Sequence, residues 1–86
     1  MKNTPFSKKL PDQKTVRTVL DIGEMAAMAR KEQGLGQADV AGLNNCGVRF
    51  IVDLEKGKPT IRAQMLLDTL DLLGLEIIVK KKGLNK

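Results

Sequence analysis

Residues that stop helices cut this chain into short lengths. Gly34, Asn44-Asn45, Lys56-Gly57-Lys58-Pro59 and Gly74 leave no segment between them room for more than about four helical turns. Between these stops the apolar residues recur at helical spacing. Thr18, with Asp21 three residues on, has the form of an N-cap. Ile22, Met25, Ala26 and Ala29 follow on one face, and Gly34 ends the run. A second helix is expected from Gln37 to about Leu43, and a third from Val48 to about Leu54, where Ile51 and Leu54 share a face. Thr60 is expected to cap a fourth, in which Met65, Leu66, Leu67, Leu70 and Leu73 make the densest apolar face. The period then changes. Leu75-Glu76-Ile77-Ile78-Val79 is short and β-branched, so a strand is expected over residues 75–80.

Eighty-six residues make one domain, burying about 60–65% of its unfolded surface. Several classes of function drop out at once. There is no histidine, and Cys46 is the only cysteine. An internal disulfide, a Cys/His zinc site and a histidine-based nucleophilic mechanism are therefore excluded. No catalytic residue, metal or cofactor is expected. No apolar run reaches the roughly 18 residues of a membrane span. The opening Met1-Lys2-Asn3-Thr4-Pro5 has no apolar stretch of the signal-peptide kind, so a reduced, cytoplasmic binding protein is expected.

The net charge of +5 is unevenly spread. Residues 1–17 carry five bases and one acid, and residues 80–86 carry four lysines, while residues 18–79 hold six bases against nine acids. Basic ends around a mildly acidic body suit phosphate backbones or acidic partners. They suit solvated tails equally well. The chain is accordingly divided into a flexible basic arm (1–17), a helical domain (18–74), a strand (75–80) and a basic tail (81–86).

The second and third helices, joined by a tight turn, fit a helix-turn-helix. Gln37 takes its first position, Ala41 is the small residue where the helices cross, Asn45 is the turn residue, and Ile51 and Leu54 are the buried anchors. From Ile22 to Leu75, through the segments IGEMAAMARKEQGLGQADVAGL, GVRFIVDLEKGKPT and LLDTLDLLGL, the chain resembles the Cro/repressor-like, Xre-type helix-turn-helix family. The GVRFIVDLEKGKPT segment, with a strand after the last helix, is most similar to the HipB-type antitoxin branch. Three positions depart from the family pattern: Gly36 stands where Ser or Thr is usual, Asn45 where Gly is usual, and Asn44 where an apolar residue is usual. The resemblance implies an all-α, lambda-repressor-like domain of four to five helices, with one short C-terminal β-strand pairing across a dimer.

By that resemblance Arg49 occupies a base-contacting position. Its planar fork can pair with O6 and N7 of guanine, or it can clamp a phosphate. Val48 and Val52 can meet thymine methyl groups, or Val52 can be partly buried. Phe50 can touch DNA or pack against the turn, and the DNA-facing side is the expectation. Asp53 can accept from cytosine N4 or repel wrong sites. The amide of Gln37, at the start of the second helix, can hold a phosphate. Lys56 and Lys58 are candidate phosphate contacts or simply solvated loop residues. In this family the residues matching Arg30 and Glu55 pair across the core, so both are assigned a structural role. Met25, Met28 and Met65 are expected to fill the core, and Cys46 to act as a small buried hydrophobe.

A lone strand leaves its backbone groups unpaired. Antiparallel pairing with the same strand of a second subunit satisfies them, with Leu75, Ile77 and Val79 on one face. The expected function is sequence-specific repression by a homodimer on double-stranded operator DNA. The resemblance further implies an antitoxin of a type II toxin–antitoxin operon that binds a HipA-like serine/threonine kinase toxin and represses its own operon. A stand-alone phage or mobile-element repressor is one other reading. A protein-interaction module with a vestigial helix-turn-helix is another.

Overall fold

A computed structural model describes residues 9–83. The expectations placed on residues 1–8 and 84–86, including Lys2, Lys8 and Lys86 of the basic ends, lie outside it. Four helices follow in order: α1 (Val19–Glu32), α2 (Gln37–Leu43), α3 (Val48–Glu55) and α4 (Ala63–Leu72).

All four helices end in the same way. The residue after the C-cap turns left-handed (Gly34, Asn45, Gly57 and Gly74), and the next two amides fold back onto the last turn. This is the Schellman closure, which satisfies carbonyls the helix leaves orphaned. Asn45, at φ 53°, is the one non-glycine among them, consistent with the tolerance of asparagine for this region. At Gly57 the close approach matters as well. A Cβ there would lie 2.5 Å from Leu20 Cα, so the loop after α3 packs directly against the start of α1.

Helix starts are less uniform. Thr18 caps α1 in a reciprocal box with Asp21. At α2, Gly36 offers no side chain, and the Asp39 carboxylate supplies the remaining half by accepting the Gly36 N–H at 2.7 Å. The expected cap of α4 needs correction. Thr60 lies in a turn closed by Ile61 N–H on the Lys58 carbonyl at 3.1 Å, and α4 starts at Ala63 with Arg62 as its N-cap. Ile61 is the reason. It packs against the core and, with Leu66, occupies the paired positions of a hydrophobic staple around that N-cap.

The core is built from Ala26 and Ala29 of α1, Val40 and Ala41 of α2, Ile51 and Leu54 of α3, and Leu66, Leu70 and Leu73 at α4. Small residues let α1 approach α3: a methyl on Gly23 would collide with the Leu54 carbonyl oxygen. Met25, Met28 and Met65 are only half-buried and stand outside this cluster, because the alanines and leucines already fill it. Cys46 is half-buried and packs against it. Leu10 also packs on the core, and Lys14 stands 3.9 Å from Glu24, so part of the segment before α1 rests on the domain.

No strand forms among the described residues. Leu75 packs on the core, while Ile77, Ile78 and Val79 are 46%, 72% and 91% exposed. Exposure rises from Ile77 to Val79 instead of alternating, since this stretch has no strand beside it among the described residues.

Candidate nucleic-acid interface

The α2–α3 pair is locked by polar contacts the core surrounds. Arg30 Nε donates to Glu55 Oε2 at 2.6 Å, Nη2 to Oε1 at 2.9 Å, and Nη1 to the Leu35 carbonyl at 2.9 Å. Donation to the Glu55 carboxylate raises the already high pKa of Arg30, so the guanidinium stays charged at every working pH. It ties the end of α3 to α1. Gln37 Nε2 also donates to Glu55 Oε1, at 3.1 Å, which turns that amide inward and adds α2 to the same carboxylate.

On the other side of the turn, Asn44 Nδ2 donates to Thr69 Oγ1 at 2.8 Å, and that hydroxyl donates to the Met65 carbonyl at 2.8 Å. Thr69 is fully buried. Asn44 thus replaces the usual apolar contact with a satisfied hydrogen-bond chain from α2 to α4. Gln33 Nε2 donates to the Leu73 carbonyl at 2.8 Å and closes the far end of the domain. Neither link has a local signal in the sequence, since each joins residues 25 or more positions apart.

With α3 held this way, its residues divide by face. At 100° per residue, Arg49 and Lys56 stand opposite the Ile51–Leu54 stripe, and both are exposed. Val48 is exposed, while Val52 is half-buried. Phe50 is half-buried and packs against the core, on the flank of the helix. Lys58 follows in the loop, exposed. Asp53 is recessed between cations, 3.3 Å from Arg49 Nε and 3.6 Å from Lys58 Nζ. Arg49, Asp53 and Lys58 therefore form one group. The i,i+4 spacing of Arg49 and Asp53 was a usable signal for half of it. Gln37 stands apart from this group, engaged with Glu55.

Two short helices braced at their turn, the second showing an arginine-bearing face to solvent, define a helix-turn-helix protein. No family model matches the chain. It is 44% identical over 70 residues, covering 81% of this chain and 92% of the relative, to the uncharacterized HTH-type transcriptional regulator y4mF of Sinorhizobium fredii (strain NBRC 101917 / NGR234). The chain belongs to the family of HTH-type transcriptional regulators. Among the described residues no helix is long and apolar enough to cross a membrane.

Proposed function

We propose that this protein is a sequence-specific DNA-binding repressor that acts as a homodimer, with α3 in the major groove. The observation that carries the reading is the outward presentation of Arg49 on a helix whose opposite face is fixed by Ile51, Leu54 and the Arg30–Glu55 pair. Arg49 reads a guanine, Val48 meets a thymine methyl, and Lys56 and Lys58 hold phosphates. Phe50 and Val52 support the helix from its flanks, and Gln37 steadies it through Glu55. The exposed Ile77, Ile78 and Val79 supply the dimer contact by pairing with a second copy, which sets two reading helices about 34 Å apart on a palindrome.

Similarity of the GVRFIVDLEKGKPT segment to HipB-type antitoxins supports a narrower role. In that role the protein neutralises a HipA-like serine/threonine kinase toxin and represses the operon that encodes both.

Footprinting and titration on the DNA upstream of its own gene test the DNA-binding role. Arg49→Ala is expected to cost about 1–3 kcal/mol on the protected site and relax preference at one base pair, while Lys58→Ala weakens all sequences alike. Equal losses for Arg49→Ala on specific and random duplexes would reduce Arg49 to a phosphate clamp. Ile77→Asp is expected to give folded monomers without operator binding. A variant still dimeric by sedimentation would place the dimer contact elsewhere. Co-purification with a kinase encoded by the adjacent reading frame tests the antitoxin role. An adjacent frame encoding no kinase favours a stand-alone repressor.

A further inference from the structure

The side chain of Asp53 is only 19% exposed, yet its carboxylate faces two cations that are themselves out in solvent. Its Oδ1 lies 3.3 Å from Nε of Arg49, whose side chain is 86% exposed, and its Oδ2 lies 3.6 Å from Lys58 Nζ. Lys58 is held a second time, because its backbone N–H donates to the Asp53 carbonyl at 3.0 Å. The nearest approach to Asp53 is through Nε, and no hydrogen bond to a described residue engages the two terminal amino groups of Arg49. Those groups form one edge of the guanidinium fork that matches guanine.

We infer that Asp53 is a positioning residue that aims the terminal amino pair of Arg49 at a guanine, restrains Lys58, and so exchanges general DNA affinity for base selectivity. The inference rests on the DNA-reading role proposed above. A free arginine must lose side-chain freedom on binding, whereas one already held by a recessed carboxylate has lost part of it beforehand. A negative charge between two cations also lowers their attraction for any phosphate. Each oxygen of Asp53 already faces a cation, so acceptance from cytosine N4 would have to share that oxygen with it.

The test uses the full chain and three variants: Asp53→Asn, Arg49→Lys and the double substitution. Its probes are duplexes recovered by the wild-type protein from a randomised pool of about 30 base pairs, long enough for two half-sites, and one unrelated duplex. Asp53→Asn is expected to bind the unrelated duplex severalfold more tightly, with a log–log salt slope steeper by about one unit. Its preference for guanine at the base pair read by Arg49 is expected to fall roughly tenfold. In the Arg49→Lys background, Asp53→Asn should leave base preference unchanged.

Equal weakening on both duplexes, with a lowered melting midpoint, would overturn the inference in favour of a purely structural role. So would a loss confined to a cytosine position with guanine preference intact. In the protein without DNA, hydrogen exchange at Arg49 Nε–H should quicken in Asp53→Asn, and unchanged exchange would overturn the clamp whatever the DNA result. Failure of the wild-type protein to recover any common sequence would instead overturn the DNA-reading role itself.

Discussion

Removing the carboxylate of Glu55 should unfold a large part of this domain's stability margin. Glu55→Ala takes away the acceptor for three donors at once: Arg30 Nε and Nη2, and Gln37 Nε2. Arg30 would keep only the Leu35 carbonyl, with its side chain 11% exposed. A buried charge stripped of its partner costs about 3–5 kcal/mol. The whole stability of a small domain is about 5–15 kcal/mol, and one of this size lies toward the low end. At about 4 °C or more per kcal/mol, the melting midpoint should fall by roughly 12 °C or more. Glu55→Gln keeps an acceptor but sets an amide hydrogen against a guanidinium, for an intermediate loss of about 1–3 kcal/mol. Replacing both partners, Arg30→Met with Glu55→Leu, leaves no orphaned charge and should recover part of the loss. Urea titrations followed by far-ultraviolet circular dichroism give the ranking. An unchanged midpoint for Glu55→Ala, or a double variant less stable than that single one, would refute the reasoning.

Asp21 accepts backbone N–H groups from Arg17 at 2.8 Å and Thr18 at 3.1 Å, which lowers its pKa below the ordinary 3.8. Its stabilisation of α1 is thus present above 3.8 and lost as pH falls through the lower folded value. Melts of wild-type protein and Asp21→Asn should converge in acid, and a gap that persists there would contradict this. Thr69→Val leaves Asn44 Nδ2 without its oxygen and should cost about 1–3 kcal/mol, read by denaturant titration. Adding Asn44→Leu should restore part of that, and a further loss would mean the site needs the polar link. Gly23→Ala should destabilise by about 1–3 kcal/mol, because α1 must move off the Leu54 carbonyl. A neutral result by the same titration would show that the crossing has slack.

The helices were legible because their signals are local. Thr18 with Asp21, and the left-handed closers Gly34, Asn45, Gly57 and Gly74, each act within one turn of the residues they organise. Thr60 misled for the same reason, as a good cap on local chemistry that lost to the burial of Ile61, a tertiary demand. Side-chain direction on α3 needed more than spacing. Periodicity puts Arg49 outward, but whether Phe50, Val52 and Asp53 on the flanks meet solvent or neighbours depends on the roll of the helix. Partners distant in the chain set that roll: Arg30 and Gln37 through Glu55. The link from Asn44 to Thr69 was illegible because an asparagine beside a turn already has a local explanation.

The two ends of α3 therefore carry different burdens. Glu55, in the last turn, gathers α1 through Arg30 and α2 through Gln37, so its chemistry fixes how the helix is rotated. Arg49, in the first turn, is 86% exposed and pairs with Asp53, so its identity is free of the core. Under the proposed DNA-reading role, base preference can change at Arg49 without loss of fold, whereas a change at Glu55 alters fold and reading together. Asp53 is where the two meet. Its carbonyl closes the helix onto the Lys58 amide, and its carboxylate faces the cations that would approach DNA. Substitution of its side chain leaves that closure intact, because the closure is made by backbone alone. A variant at Asp53 can thus report on recognition with the turn preserved, a separation that no substitution at Glu55 allows.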